Sequence, residues 1–170
     1  EVANRLSFLL WASMPDRQLL ETAEKGELEK GDSLRQEVER MLADPKSAGF
    51  AANFLDRWLE LYRLGTMPPD ENVYPQYFLG DLESAMRQET ELFFRHLLEK
   101  NLDVENLIDG KFTFVNYHLA KLYGIKGFEG SGFQKVALTD RRRGGLLGQA
   151  SILTATANGI DTSPVVRGVW

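Results

Sequence analysis

The chain has 170 residues, about one domain's worth and enough to bury a core. It is 43% hydrophobic, 26% charged and 11% aromatic, with a mean hydropathy of −0.30, which excludes an intrinsically disordered polymer. Net charge is −5, split between −10 over residues 1–110 and +5 over residues 111–170. That balance argues against a nucleic-acid binder, which needs a dense cationic face to displace counterions. The absence of cysteine removes disulfides, thiolate nucleophiles, Cys-ligated zinc and covalent c-type haem attachment.

Most of the chain has helical period. Val2, Leu6, Leu9 and Leu10 are predicted to form one face of a first helix, with Phe8 and Trp11 on the other. Ser13-Met14-Pro15-Asp16 ends it. Pro15 then suits the first turn of a second helix through Leu19, Leu20 and Ala23, stopping at Gly26. Ser33 with Gln36 has the spacing of a capping box, opening a helix that carries Leu34, Val38, Met41 and Leu42. Asp44-Pro45 caps the next helix. Its predicted face is strongly aromatic, with Phe50, Phe54, Trp58, Leu61 and Tyr62, and it ends near Gly65. Residues 66–75 contain three prolines and read as a loop.

A further helix is predicted from Asp81 to Lys100 with Leu82, Met86, Phe93 and Leu97 on its seam. Short helices follow at Asp103 to Ile108 and Phe114 to Tyr123, the latter closed by Gly124. Beyond Gly124 the chain becomes glycine-rich, and residues 133–138 alternate like a short strand. Leu146 to Asn158 reads as helical. Thr162-Ser163-Pro164 reads as the cap of an amphipathic helix bearing Val165, Val166, Val169 and Trp170, a face expected to pack on the helical part. The expected fold is all-α, a multi-helix bundle-like domain over residues 1–130. A small irregular region over 131–170 would contain at most a short strand. No run of 18 or more apolar residues is present, so this piece carries no membrane span.

Candidate chemistry is sparse. His96 and His118 are the only imidazoles, and no pair of Glu-x-x-His motifs supports a di-iron bundle. Structural roles for both are the simpler expectation, and no metal is expected. Glu89 falls between Met86 and Phe93, where a helix buries apolar side chains. Unpaired, its carboxyl pKa would rise and suit it to proton transfer. The expectation here is instead a buried ion pair, with Arg5 one available partner; a slight rotation burying Thr90 instead is the other alternative. Arg141-Arg142-Arg143-Gly144-Gly145 before a predicted helix has the ingredients of an anion cradle, or of a solvated turn on the acidic part. It matches neither a Walker nor a dinucleotide motif. Asn158 and Arg167 complete a weak candidate ligand-binding set with Arg141, Arg142 and Arg143. The hydroxyls of Ser151, Thr154, Thr156, Thr162 and Ser163 sit in no nucleophile elbow, and capping and close packing account for them. Ten Phe against eight Tyr and Trp together indicate a core rather than a sugar-binding surface.

The opening Glu1-Val2-Ala3-Asn4-Arg5-Leu6-Ser7-Phe8-Leu9-Leu10-Trp11-Ala12-Ser13-Met14-Pro15-Asp16 resembles the start of the third domain of planctomycete cytochrome-type proteins, PSCyt-three. Thr113-Phe114-Val115-Asn116 and Leu119-Ala120-Lys121-Leu122-Tyr123-Gly124-Ile125 resemble that domain's end. Arg143-Gly144-Gly145-Leu146-Leu147-Gly148-Gln149-Ala150-Ser151, with Leu153-Thr154, Thr162-Ser163-Pro164-Val165 and Arg167-Gly168, resembles the start of the fourth, PSCyt-four. Gly159-Ile160-Asp161 and Val166 stand where that pattern is richer in Pro, Arg and Lys. The resemblance implies a piece of a large bacterial protein, secreted or periplasmic, with haem c confined to a separate module and none in this piece. Its partners would be other domains of the same polypeptide. Both domains are of unknown function, so the resemblance assigns no catalytic residue. Two readings follow: a scaffold or interaction module, or part of an extracellular oxidoreductase or polymer-degrading enzyme whose site is completed elsewhere.

Overall fold

Four helices build a first compact unit, Glu1–Phe54, and the rest of the chain, Leu55–Trp170, builds a second. The computed structural model describes residues 1–139, 143–161 and 163–170. The division falls inside a helix, and the change of composition near residue 130 lies within the second unit.

The first unit comprises α1 (Val2–Trp11), α2 (Arg17–Glu24), α3 (Gly31–Ala43) and the start of α4 (Ala48–Trp58), with 3-10 turns at Glu27–Glu29 and Pro45–Ser47. Its core is Ala3, Leu10, Trp11, Leu19, Leu28 and Met41. The buried face of α1 is Ala3, Ser7, Leu10 and Trp11; of the predicted stripe Leu10 is buried and Leu6 packs against the core, whereas Val2 and Leu9 are exposed, as is Phe8. Small side chains at 3 and 7 let neighbouring backbone approach, and polar atoms on this face are satisfied. Ser7 Oγ donates to the Ser13 carbonyl at 2.7 Å, and Trp11 Nε1 donates to the Met41 carbonyl at 2.9 Å. The cations of Arg40 and Lys46 lie over the Trp11 ring.

Capping differs from the sequence reading at two helices. Pro15 precedes α2, whose cap is Asp16. α3 begins two residues before Ser33, behind Lys30, so the Ser33–Gln36 capping box is not used. Asp44 does cap the next turn, accepting from the Lys46 N–H at 2.8 Å.

Asp16 has two tasks. One carboxylate oxygen accepts from the Leu19 N–H at 2.9 Å, and the other is paired with Arg40 at 2.8 Å. Arg40 also binds Glu37 at 2.7 Å. The Arg40 hydrogen bond holds the Asp16 carboxyl below its ordinary range. A depressed folded-state pKa stabilises above the unfolded value and is lost as pH falls through the folded one. Asp16→Ala is thus expected to cost about 1–2 kcal/mol near neutral pH, from cap plus ion pair. In urea unfolding the gap from the native chain should shrink as acid protonates Asp16.

In the second unit α4 ends at Trp58 and a 3-10 turn follows at Leu61–Arg63. Ala51, Leu55, Leu59, Leu61 and Leu64 are buried. The predicted aromatic face is split: Phe50 packs against the first unit's core and Leu61 is buried, whereas Phe54, Trp58 and Tyr62 keep substantial solvent exposure, and Trp58 tilts onto Phe94 with ring centroids 6.4 Å apart. After the loop and a turn at Pro75–Phe78 come α5 (Leu82–Glu99), α6 (Asn106–Asp109), β1 (Phe112–Val115), α7 (Tyr117–Tyr123), β2 (Gln134–Ala137), a turn at Leu146–Gly148, α8 (Ala150–Ala155) and α9 (Pro164–Val169).

α5 is the central element, touching β1, α7 and α8. The chain is mostly helical but not purely α. β1 and β2 pair antiparallel, with Thr113 opposite Val136 and Phe114 opposite Lys135. The predicted helix from Phe114 starts later because Phe112-Thr113-Phe114-Val115 is a β-branched and aromatic run. In it Thr113 and Val115 point inward. The Asn116 side chain then accepts from the Leu119 N–H at 3.0 Å and starts α7. On α9 the Ser163 cap forms, yet Val165, Val166 and Val169 are exposed and Trp170 is only half-buried. The expected packing of that face is not made, because six residues with three outward valines present no continuous stripe.

Candidate functional site

Glu89 lies at the middle of α5 with no solvent exposure. Its nearest donors are hydroxyls. Thr113 of β1 donates to Oε1 at 2.5 Å, and Tyr123 of α7 donates to Oε2 at 2.5 Å. Among the described residues the expected ion pair is not found, and Arg5 pairs with Glu1 at 2.6 Å. Burial is the largest influence and lifts the carboxyl pKa to about 7, against the lowering effects of Thr113, Tyr123 and the charge of Arg143. Tyr123 is pushed well above 10 by burial and by Glu89. Its oxygen also accepts from the Ala150 N–H at 2.8 Å, so the start of α8 is tied to the same group.

One residue on, Thr90 is also fully buried. Its hydroxyl donates to Gln149 Oε1 at 2.7 Å and shares a 2.6 Å hydrogen bond with Ser151. The choice between Glu89 and Thr90 does not arise, since α5 buries both. Gln149 Nε2 is buried with no hydrogen-bond partner among the described residues. A cavity of about 10 Å³ beside Glu89, lined also by Arg143, Gly145 and Gln149, has the size of one water molecule.

Arg143 separates that small cavity from a larger one, lining both. Its guanidinium carbon sits 4.2 Å from the Tyr123 ring centroid, and one Nη donates to the Gly148 carbonyl at 3.0 Å. The larger cleft, about 260 Å³, has a floor of Leu82, Met86, Leu122 and Leu153.

Of the predicted ligand-binding set, Arg143 alone lines this cleft. Arg141 and Arg142 lie outside the described residues, as does Thr162. Asn158 turns its side chain onto the local backbone, accepting from Ile160 and Asp161. Arg167 Nε donates to Thr156 at 3.3 Å, and its Nη2 is buried without a partner among the described residues. Of the other hydroxyls, Thr156 donates to the Ile152 carbonyl and Ser163 acts as a cap, while Thr154 reaches across the fold to Met86 Sδ. His96 is half-buried, 2.8 Å from Lys135 Nζ and edge-on to Phe112 and Phe114. His118 is exposed on α7 beside Gly80. No group of three or more His, Asp or Glu among the described residues could hold a metal ion, and no helix is long and apolar enough to cross a membrane among the same residues.

Sequence reasoning missed Thr113, Tyr123 and Gln149. Thr113 was legible in the alternation of the β1 run; Tyr123 and Gln149 carry no local signal, since only the tertiary fold brings them to α5. A family model described as PSD4, protein of unknown function (DUF1592), matches residues 1–125, and the chain belongs to that family. No curated protein and no solved structure matches the chain.

Proposed function

We propose that this DUF1592 member is a non-catalytic helical module with a scaffold or interaction role inside a larger bacterial protein. That protein would be secreted or periplasmic and of the planctomycete cytochrome-associated kind, and residues 131–170 would open its next, PSCyt-four-like region. One observation carries the non-catalytic reading: the chemically capable groups of the second unit are turned on each other. Both Glu89 oxygens receive hydroxyl protons, and Thr90, Gln149 and Ser151 bond among themselves. A catalytic carboxylate must face its substrate, whereas Glu89 has no solvent exposure and these groups fix the positions of β1, α7 and α8 on α5. Haem, on this reading, belongs to a separate module, and the purified chain is expected to show no Soret band in its absorption spectrum.

The alternative, part of an oxidoreductase or polymer-degrading enzyme, draws support from a carboxyl poised near neutrality beside Arg143. The two separate in an assay of the 170-residue chain, native and Glu89→Gln, against artificial electron acceptors and extracellular polysaccharides. No turnover above buffer is expected from either form. Turnover by the native chain that Glu89→Gln abolishes, with the variant still folded, would overturn the scaffold reading.

A further inference from the structure

The cleft beside Arg143 is built rather than incidental. One wall is the 66–75 loop and the other is the segment after α8, and two hydrogen bonds fasten them. The Asp70 N–H donates to the Gly159 carbonyl at 2.8 Å, and the Tyr74 hydroxyl donates to the Ile160 carbonyl at 3.2 Å. Gly159 has φ +87°, and a Cβ there would stand 3.0 Å from the Pro68 carbonyl oxygen, so glycine lets the walls meet. The floor of Leu82, Met86, Leu122 and Leu153 is apolar. At about 260 Å³ the space exceeds the roughly 150 Å³ that admits benzene in an engineered apolar cavity.

Arg143 is the one cation among the described residues lining this space, and it makes no ion pair with a carboxylate among the described residues. Stacking on Tyr123 and the bond to Gly148 hold its guanidinium in one orientation, so little side-chain freedom remains to be lost on binding. The Asp161 carboxylate, the one acid among the described residues lining the cleft, is on an exposed residue, where solvent screens it. We infer that this cleft binds a small apolar carboxylic acid, its ring or branched chain on the Met86 and Leu153 floor and its carboxylate on the Arg143 guanidinium. This goes beyond the scaffold reading and does not depend on it.

The probe is 2-naphthoate, with 2-naphthylmethanol and 2-naphthylmethylamine as neutral and cationic counterparts, followed by methyl chemical shifts of Met86 and Leu153 in the 170-residue chain. The acid is expected to shift both methyls and to bind about tenfold more tightly than the alcohol, the ratio expected for one charge-assisted contact. The amine is expected to be weakest. Arg143→Gln should erase the preference for the acid while leaving alcohol binding in place, and Arg143→Lys should keep part of it. Leu153→Trp, which fills the floor, should remove binding of all three with Arg143 still present. No methyl shift with any probe at millimolar concentration, equal affinity for acid and amine, or an acid preference that survives Arg143→Gln in a folded variant each overturns the assignment.

Discussion

Raising the pH from 4.5 to about 8 is expected to cost the native chain about 3 kcal/mol through Glu89 alone, and Glu89→Gln is expected to remove that dependence. The folded-state pKa is raised, from 4.5 to about 7, so folding favours the protonated acid. The stabilisation is complete below the unfolded value and is lost as pH rises through the folded one. Among the described groups facing Glu89, Tyr123 on α7 is held neutral in that window by its own raised pKa, and Arg143 contributes positive charge. Thr113 on β1 and Gln149 before α8 do not ionise. Elsewhere, Asp16 acts in the opposite sense at lower pH. His96, shifted down mainly by burial and then by Lys135, acts in the sense opposite to Glu89. Subtracting the Gln variant cancels both. Urea midpoints of the two proteins, taken every half pH unit, should converge in the alkaline direction with an inflection near pH 7. Parallel profiles would mean that Glu89 does not carry the titration.

Gly145→Ala is expected to be at least as damaging, at about 3–5 kcal/mol. Gly145 has φ +55° and ψ −163°, a region that side-chain-bearing residues enter at a cost of about 1–3 kcal/mol. A Cβ there would also come within 2.5 Å of the Ile108 carbonyl. Overpacking against backbone adds about 1–3 kcal/mol, since no side chain can swing aside. The turn at 144–148 would have to lift from α6, and with it the cover over Glu89. Gly127→Ala is the control. Its φ is +71° with nothing within 4 Å, so it should lose about 1 kcal/mol. Equal melting shifts for the two variants would refute the collision argument.

Helix positions were largely legible because period and punctuation agree at Gly26, Asp44-Pro45, Gly124 and Ser163-Pro164. Which face each helix buries was less so. α1 shows why: hydrophobicity favours Val2, Phe8 and Leu9, but close packing selects Ala3 and Ser7, and a Trp that can reach a carbonyl 30 residues away. On α4 the same holds: Ala51 and Leu55 are buried while Phe54 and Trp58 keep solvent exposure. Glu89 itself stood out as a carboxyl on an apolar seam. Its partners did not, because they lie 24 and 34 residues further along the chain. A polar side chain that answers another across a fold leaves no periodic trace.

The sheet that supplies Thr113 has a consequence for how the protein assembles. β1 and β2 are neighbours in space, yet the whole of α7 is threaded between them in sequence. Around Glu89 and Thr90, contacts close chain loops of 24, 34 and 61 residues. In the first unit the corresponding contacts close loops of 24 and 30 residues, Asp16 to Arg40 and Trp11 to Met41. Closing long loops must precede the contacts that reward it, so high contact order slows folding. The unit Leu55–Trp170 is thus set to acquire its native pairing more slowly than Glu1–Phe54. Burial of the Glu89 carboxyl, which requires β1, α7 and α8 together, marks the end of that search.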